Sequence, residues 1–352
     1  MAKRWNESLD ELIDDTKAYL DEKEREQTAP REPAAEEPVA APAKRKKRKK
    51  GKIVLVVLLL LLAAFAVWFF TAGQPTGGEM LLADGSRAER KLGCCTVLLA
   101  GTDKGGMRTD TMLLLFVDST ARKATLISLP RDTYVSGGYS VPKLNSALGA
   151  GGGGKEGMEE LLRQVTDLIG YRPDGYALID LDGFVDLIDL LGGVDFDVPQ
   201  DMHYNDPVQD LHIDLKAGEQ HLNGEQSMGL VRFRSGYAQA DLRRVEVQRD
   251  FLKAAMAQHF QPGNIPKAPL LAGKFLAATT TDLSSGNLLW IARTLLTCDR
   301  EEIRMETMPG APRMISGGSY YLVDATAAAE LLNECANPYK TEITSDMLNV
   351  RR

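Results

Sequence analysis

An uninterrupted apolar run at residues 53–70, IVLVVLLLLLAAFAVWFF, constrains this chain more than any other feature of its sequence. As a helix the run would be roughly 27 Å long, which matches the hydrocarbon core of a bilayer. Lipid offers the backbone no hydrogen bonds, so such a run pairs internally as a helix. A signal peptide is the alternative, but the run is long for one and no small-x-small cleavage site follows Phe70. We therefore predict a transmembrane helix over residues 53–71.

Charge on the two flanks of the run predicts its orientation. Eight basic residues stand between Lys44 and Lys52, whereas residues 71–80 carry a single charge, Glu79. Basic residues are retained on the cytoplasmic side of a membrane. The N-terminus is therefore predicted inside and the C-terminal part outside, in a single-pass protein of the cell membrane. A nucleic-acid or anionic-lipid patch is another interpretation of the basic run, but its place at the membrane edge favours topology.

Composition divides the rest of the chain. Residues 1–52 are acidic, then rich in Ala, Pro and Glu, and end in the basic run, which is typical of a disordered cytoplasmic tail. Beyond the membrane we predict a linker over 72–91, a main domain over 92–260 and a C-terminal part, 261–345, packed on the same domain. The chain has 49 acidic and 42 basic residues; 12 of the acidic and 14 of the basic ones precede the membrane run, which leaves 37 acidic and 28 basic residues after it. The outer part is therefore acidic, which argues against nucleic acid as a partner.

Alternating strand and helix patterns predict an α/β fold, with a mixed central sheet layered by helices. Short apolar runs between polar turns predict strands at 95–100, 111–117, 124–129, 176–179 and 194–198. Apolar residues at helical spacing predict helices over 157–169 and 184–191, and each of these stretches is followed by glycine. Asn223 and Gln226 form a predicted capping box at the start of another helix.

The four cysteines fall in the outer part, where disulfides are permitted: Cys94, Cys95, Cys298 and Cys335. We predict a bridge between Cys298 and Cys335. No C-x-x-C spacing occurs and the four histidines are scattered, so the sequence does not predict a zinc site.

Two carboxylates, Asp103 and Asp110, follow strand ends in LLAGTDKGGMRTDTM and are separated by a short loop that contains glycine. Carboxylates with open positions suit Mg²⁺, which completes its shell with water and with phosphate oxygens of a ligand. Arg108 lies between them and offers a guanidinium to the same phosphates. The alternative is a pair of turn-forming aspartates beside a solvated arginine.

Two further stretches place charged side chains after regular elements. Arg131 and Asp132 follow a strand and Pro130, so their loop projects side chains from a rigid edge; a surface ion pair is the alternative. Arg232 and Arg234 follow a predicted helix, and residues two apart in extended backbone point the same way.

The next predicted helix continues this basic stretch. Asp241, Arg244 and Gln248 stand at i, i+3 and i+7 on one of its faces. Arginines from a loop and a helix can converge on a diphosphate, with Asp241 orienting one of them and Gln248 donating an amide. Arg249 falls on another part of the helix and is predicted to be solvated. An ordinary charged amphipathic helix is the other interpretation.

Several motifs in order resemble the LytR-CpsA-Psr phosphotransferases of Gram-positive cell walls, from about Cys95 to Phe251: GTD with RTDTM, SLPRD, KLNSALGAGG, LDGFVDLIDLLGGVDFDVP, LNGEQ, and Arg232 through Gln248. A weaker signal follows in PGAPRMISGGSYYLVD. The resemblance implies that the main domain, 92–260, is catalytic. It also implies transfer of a glycopolymer from a polyprenyl-pyrophosphate carrier in the lipid bilayer onto peptidoglycan, which forms a phosphodiester.

The resemblance also implies roles for particular residues. Asp103 and Asp110 would hold Mg²⁺, with Mn²⁺ as an alternative ion. The pyrophosphate would be clamped by five arginines and completed by two other side chains: Arg108, Arg131, Arg232, Arg234, Arg244, Asp241 and Gln248. Asp132 or Asp241 would deprotonate the attacking hydroxyl, and Lys143 and Asn145 would support the mouth of the site. The helices at 158–169 and 184–191 resemble those that enclose the lipid tail; ordinary packing in the core is the other interpretation.

Two departures from the family pattern and two other functions remain open at this point. The loop between the aspartates is short, and Val247 stands where many members carry arginine directly before the glutamine. A polyprenyl-pyrophosphate hydrolase would use the same site with water as nucleophile. A non-catalytic membrane regulator of cell-envelope genes would instead make use of the basic cytoplasmic run.

Overall fold

The computed structural model divides the chain into two units, Met1–Leu60 and Leu61–Arg352. It describes Val57, Leu60, 73–103, 105–207, 211–233, 240–259 (side chains from 246), 261, 263–264 and 268–351. The predicted tail and membrane helix lie outside these residues, apart from Val57 and Leu60, which are both helical. Among the residues described, no helix is long and apolar enough to cross a membrane.

A six-stranded mixed sheet lies at the centre of the second unit, in the order β10-β3-β2-β1-β4-β9. Its strands are β1 Cys94–Thr102, β2 Thr109–Asp118, β3 Lys123–Ser128, β4 Gly175–Ile179, β9 Thr279–Thr281 and β10 Ile303–Thr307. Six further strands form hairpins or pairs: β5 Val194–Val198 with β8 Gly218–Leu222, β6 Met202–Asp206 with β7 Leu211–Leu215, and β11 Gly310–Ile315 with β12 Gly318–Val323. The predicted mixed sheet is confirmed, and the five predicted strands are present as β1 to β5; the first four belong to the central sheet, and β5 pairs with β8 outside it.

Helices cover both faces of the sheet. They are α1 Ala147–Ala150, α2 Gly154–Ile169, α3 Leu181–Leu191, α4 Gly224–Arg232, α5 Ala240–His259, α6 Ala268–Ala278, α7 Ser285–Thr297 and α8 Ala325–Cys335. The predicted ends of α2 and α3 are confirmed, because Gly170 (φ 79°) and Gly192 (φ 91°) adopt the left-handed conformation that stops a helix. The predicted capping box of Asn223 and Gln226 begins α4.

Successive side chains of the central strands point to opposite faces of the sheet and pack into two hydrophobic cores, one on each face. Leu98 and Ala100 of β1 face a cluster built with α2 and α8, whereas Cys95 and Val97 face a cluster built with α5, α6 and α7. Successive side chains of a strand point to opposite faces of its sheet. The result is a layered α/β/α arrangement, and the second of these clusters borders the site described below.

The predicted disulfide between Cys298 and Cys335 is wrong. All four cysteines are free and buried. Cys335 belongs with Cys94 to the cluster under α2 and α8, while Cys298 belongs with Cys95 to the cluster on the opposite face. The sheet therefore separates the two thiols. Burial raises the pKa of the Cys94 thiol to about 12 and that of Cys298 to about 11, so both stay protonated.

A buried ion pair holds the N-terminal and C-terminal segments of the second unit against the start of β1. The Asp174 carboxylate, which is fully buried, accepts Arg90 Nη2 at 2.8 Å, the Thr96 amide at 2.8 Å and the Gly78 amide at 2.9 Å. Arg90 Nη1 also donates to the Tyr339 hydroxyl at 3.1 Å. We call Arg90, Asp174 and Tyr339 the basal clasp. Through it, part of the stretch predicted as a linker packs against the start of β1 and the C-terminal segment.

Candidate functional site

A β-bulge aims Asp110 away from the sheet. Gly101 pairs with Thr111 and Thr102 pairs with Thr109, so Asp110 has no partner on β1. A bulge of this kind redirects the side chain of its extra residue. The Asp110 carboxylate is consequently 49% exposed, at the edge where β1 ends and β2 begins.

The loop between these strands folds back on Asp103. Asp103 Oδ1 accepts the amides of Met107 and Arg108, both at 3.3 Å, and its carbonyl accepts the Gly106 amide at 3.0 Å. The carboxylate is thus held at the start of the loop, while Arg108 is exposed at its end. Both side chains line the cavity that opens here.

Arg131 joins Asp110 across the sheet edge. Because β2 and β3 are antiparallel neighbours, the start of β2 and the loop after β3 meet at one edge. Arg131 Nη1 donates to Asp110 Oδ1 at 2.9 Å, and the backbone N–H of Asn145 donates to the backbone carbonyl of Arg131 at 3.0 Å. Arg131 Nε is buried and bonds to no described residue. These two predicted site residues are therefore brought together, and the buried Nε of Arg131 is left without a hydrogen bond to a described residue.

Asp132 and Lys143 extend the row of charges. Lys143 Nζ donates to Asp132 Oδ1 at 2.8 Å, and Asp132 Oδ2 lies 3.9 Å from Arg131 Nε. Lys143 Nζ also lies 5.4 Å from the centre of the Tyr320 ring on β12, a contact that the sequence analysis missed. The charges thus alternate in sign along one rim of the cavity, through Asp110, Arg131, Asp132 and Lys143. We call these four residues, together with Asp103 and Arg108, the charged mouth.

The opposite rim comes from α4 and α5. Arg232 ends α4 and lines the cavity. Gln248 lines it too, but its Nε2 donates to the Val231 carbonyl at 2.8 Å, so this amide ties α5 to the last turn of α4. The helix predicted to carry Asp241, Arg244 and Gln248 is confirmed as α5. The side chains of three predicted residues lie outside the described ones: Arg234, Asp241 and Arg244.

Arg249 is exposed, as predicted, and it also borders the cavity beside Gln248. Its side chain is 47% exposed and its Nε lies 3.5 Å from Asp250 Oδ1. Adjacent helical residues are only about 100° apart, so both can border a wide opening. Many family members carry arginine at the position of Val247. Here Val247 is buried in the core between α5 and the two-stranded sheets β5–β8 and β6–β7.

The charged mouth opens into one large apolar cavity of about 1220 Å³. Its interior is lined by the sheet face under α5, α6 and α7, and by those helices with α3, among them Leu113, Leu126, Phe184, Phe251, Phe275 and Ile291. The helix expected to enclose a lipid at 184–191 does line the cavity. The expectation for 158–169 is wrong, because α2 packs under the opposite face of the sheet. Apolar periodicity revealed both helices but could not tell which face each would cover.

Asp103 and Asp110 have carboxylate oxygens that could hold a metal ion. Asp103 and Asp110 each use Oδ1 within the protein, and no described residue bonds the Oδ2 of either. In the part of the chain that is described, no three His, Cys, Asp or Glu side chains gather around a common point. Two carboxylates with water and ligand phosphate oxygens form a usual Mg²⁺ shell. Asp103 and Asp110 are thus the residues that could hold the ion.

Comparison with known proteins identifies the family. The profile of the LytR_cpsA_psr family matches residues 79–337, well over half of the chain, so the chain belongs to this family. The predicted family is therefore confirmed. The described fold agrees with the crystal structure of Bacillus subtilis TagV, which is 26% identical, with a TM-score of 0.58 over 68% of this chain and 95% of that one. A LytR-Csp2A-Psr enzyme from Actinomyces oris, 21% identical with a TM-score of 0.56, shares the fold.

Curated relatives carry cell-wall names. The chain is 34% identical over 242 residues to the probable cell wall biosynthesis protein LcpB of Corynebacterium glutamicum, covering 66% of this chain and 55% of LcpB. It is 29% identical over 224 residues to the regulatory protein MsrR of Staphylococcus aureus, covering 62% of this chain and 65% of MsrR. Similarity to the polyisoprenyl-teichoic acid–peptidoglycan teichoic acid transferase TagV is 32% over 172 residues, 47% of this chain and 43% of that protein. The chain thus spans less than two thirds of these relatives.

Proposed function

We propose that this protein transfers a glycopolymer phosphate from a polyprenyl-pyrophosphate carrier to peptidoglycan in a Mg²⁺-dependent reaction. One observation carries the proposal: the charged mouth opens directly into an apolar cavity of about 1220 Å³. A diphosphate joined to a long isoprenoid chain has the same division into a charged and an apolar part. Membership in the family, and the transferase name of the TagV relative, support the same reaction.

In this reaction a peptidoglycan hydroxyl oxygen attacks the phosphorus that bears the glycopolymer. The bond from that phosphorus to the oxygen bridging the two phosphates breaks, a phosphodiester forms, and polyprenyl phosphate leaves. Phosphoryl transfer depends mainly on positioning and on stabilising charge. The Arg131 guanidinium, with its uncommitted Nε, Arg108 and Arg232 would neutralise the charge that grows on the bridging and terminal oxygens. Arg234 and Arg244 would complete the cationic set.

Asp132 is the group that we propose for the proton. Its Oδ1 is held by Lys143, while its Oδ2 lies 3.9 Å from Arg131 Nε and is free to receive the proton of the attacking hydroxyl. Lys143 would keep the carboxylate oriented, and Asn145 would hold the backbone of Arg131 in place through its amide. Asp241 is the alternative base.

Asp103 and Asp110 would hold Mg²⁺ or Mn²⁺ at the edge of the charged mouth. When bound, the ion would neutralise phosphate charge and make the bridging oxygen a better leaving group. Asp110 would then contact both the ion and Arg131, which links the metal site to the guanidinium that binds phosphate. The resulting dependence on a divalent cation is part of the proposal.

We further propose that residues 53–71 anchor the protein in the cell membrane, with the tail inside and the second unit outside. A lipid-linked carrier and peptidoglycan meet on that side of the membrane. The apolar run and its eight flanking basic residues support this arrangement.

The test uses the full-length protein, a synthetic polyprenyl-pyrophosphate glycan, Mg²⁺ and glycan chains of peptidoglycan. We expect linked product and polyprenyl phosphate in equal amounts, with no turnover by Asp110→Ala. Asp186→Ala, which removes an exposed carboxylate of α3, is the matched control and should keep wild-type turnover. Equal rates for wild type and Asp110→Ala would reject the proposed site.

Two other functions have distinct outcomes in this assay. A hydrolase would release free glycopolymer phosphate at a rate that does not depend on the acceptor. A non-catalytic regulator would show no turnover and would keep its cellular phenotype after Arg131→Ala; the name of the MsrR relative, regulatory protein, is the reason to test this outcome.

A further inference from the structure

Helix α6 is apolar on the face that lines the cavity and on much of the face that does not. Its eleven residues, APLLAGKFLAA, contain a single charge, Lys274, and no acid. Leu271, Ala272 and Phe275 line the cavity. A helix that is apolar all round is normally buried on every side. α6 therefore needs an explanation for the side that the protein leaves uncovered.

The uncovered side forms a stripe at helical spacing. Leu270, Gly273, Lys274 and Ala277 are all exposed, and Leu270 is 60% exposed, among the largest exposures of an apolar side chain in the described residues. These four residues, which we call the outer stripe, lie at i, i+3, i+4 and i+7. Apolar and small residues with one lysine suit the headgroup boundary of a bilayer.

The chain leaves the apolar run next to the first turn of α7, the helix that packs on α6. Asn287 in the first turn of α7 donates through Nδ2 to the Gly73 carbonyl at 3.0 Å. Only Thr71 and Ala72 separate Gly73 from the end of the apolar run, and a chain of this length spans at most about 11 Å. The short strand β9 follows α6 directly and leads to α7, which packs on α6. A membrane anchor ending at Phe70 therefore brings this part of the unit to the bilayer surface.

We infer that the outer stripe of α6 docks on the bilayer, so that a polyprenyl tail passes from the membrane into the cavity beside this helix. The inference rests on the proposed function. Only the thickness of α6 separates the cavity from the outer stripe, and Lys274 matches the negative charge of anionic lipid headgroups. The neighbouring helix α3 exposes Asp182, Asp186 and Asp189. Charged carboxylates remain in water, so α3 marks the limit of the docking surface.

One experiment compares two presentations of the donor to the full-length protein. The donor lipid is supplied either in vesicles of phosphatidylcholine and phosphatidylglycerol that also carry the protein, or in detergent micelles. The double variant Leu270→Glu, Ala277→Glu should lower the initial rate from vesicles about tenfold, because two new charges oppose docking, and should stay within about twofold of wild type in micelles. Met314→Glu places the same charge on another exposed apolar side chain and should change neither rate.

A second measurement needs no turnover. Leu270→Cys carries an environment-sensitive fluorophore in the full-length protein on the same vesicles; the four native thiols are buried and escape labelling. Its emission should shift to the blue and be quenched by brominated lipid, whereas the same label at exposed Glu330→Cys on α8 should not respond. No quenching at position 270, or equal vesicle rates for the double variant and wild type, would overturn the inference. Absence of transfer by wild type in both formats would reject the proposed function and leave the fluorescence result to judge docking.

Discussion

Arg131 holds together the parts of the charged mouth. Its guanidinium bonds Asp110 through Nη1, while its Nε lies 3.9 Å from Asp132 Oδ2 and has no hydrogen bond to a described residue. A buried donor left without a partner is costly in a folded protein. A phosphate oxygen would satisfy it, which is a physical reason for a ligand here that does not depend on family likeness.

We expect Arg131→Ala to lower the transfer rate by at least about 100-fold, the loss usual for a group that stabilises a developing charge. Arg131→Lys should recover little, since an ammonium cannot bond Asp110 and a phosphate as a planar fork does. Arg122→Ala is the control, because this arginine is exposed and pairs with Asp299 outside the cavity. Initial rates of the three variants in the transfer assay check this, and a rate for Arg131→Ala within threefold of wild type contradicts it.

Arg249 has a different expectation now that it borders the cavity. Arg249→Ala should raise KM about threefold to tenfold with a smaller effect on kcat, because the residue lies at the rim and pairs with Asp250. Lys253→Ala removes an exposed cation from the same helix away from the cavity and should leave both constants unchanged. Steady-state kinetics with varied donor concentration distinguish the two variants. If KM and kcat of Arg249→Ala equal those of wild type, Arg249 is an ordinary surface residue with no part in binding the donor.

Glu160 on α2 contributes stability that depends on pH. The hydrogen bonds of Arg163, with those of Tyr139 and Gln164, lower the pKa of Glu160 from 4.5 to about 2. A carboxylate with a lowered pKa stabilises the fold above its unfolded pKa, and that stability is lost as pH falls toward the folded pKa. Glu160→Gln should therefore reduce the free energy of unfolding by about 1 kcal/mol at pH 7, a figure kept small because Arg163 is half-exposed.

The difference between Glu160→Gln and wild type should shrink between pH 4.5 and pH 2. Urea unfolding at several pH values measures it. A difference that stays constant over this range would show that the stabilisation comes from packing rather than from the charge.

At the scale of elements, the basal clasp ties the entry of the chain to the start of β1 and to the C-terminal segment. We expect Arg90→Ala to lower the free energy of unfolding by about 3–5 kcal/mol, because it leaves the buried Asp174 carboxylate without its cation. Arg87→Ala is the matched control: its pair with Glu79 is exposed and should contribute less than about 1 kcal/mol. Denaturant unfolding gives both values. Equal small losses would mean that the backbone amides alone satisfy Asp174.

The tie between α4 and α5 belongs to the same scale. Gln248 was predicted to offer its amide to a ligand, and the structure uses one of its N–H groups on the Val231 carbonyl. Helices end with carbonyls that lack intrahelical partners, so a side-chain amide from a neighbouring helix stabilises such an end. Gln248 thereby positions the turn that carries Arg232.

At the scale of the whole molecule, the orientation in the membrane decides whether the proposed reaction is possible. In a scan with single introduced cysteines in intact cells, we expect positions before Lys52 to resist a membrane-impermeant thiol reagent and exposed positions after Thr71 to react. Met314→Cys and Leu81→Cys are suitable outer positions, since both side chains are more than half exposed. The reverse pattern would put the site on the wrong side for its acceptor.

Much of the fold and part of the site could be predicted because the signals are local. The strands at 95–100 and 111–117, and the ends of α2 and α3, depend on apolar periodicity and on glycine, which a short window of sequence contains. Asp103 and Arg131 were predictable because charged residues that follow strands collect at one sheet edge. The prediction that Asp110 also follows a strand is wrong, because Asp110 lies within β2, at its bulge. The cysteine pairing failed for the opposite reason: sequence spacing does not tell on which face of a sheet each thiol lies.

The sequence by itself determined the family, the order of β1 to β5 with α2 to α5, and the residue types at the charged mouth, since each of these is written in contiguous motifs. Only the tertiary structure decided that Asp110 sits in a bulge against Arg131, that Arg249 borders the cavity, and that α2 lies on the face away from it. The apolar cavity is another feature that only the tertiary structure decided. It forms between a sheet and helices that are far apart in the chain, so no single segment contains it.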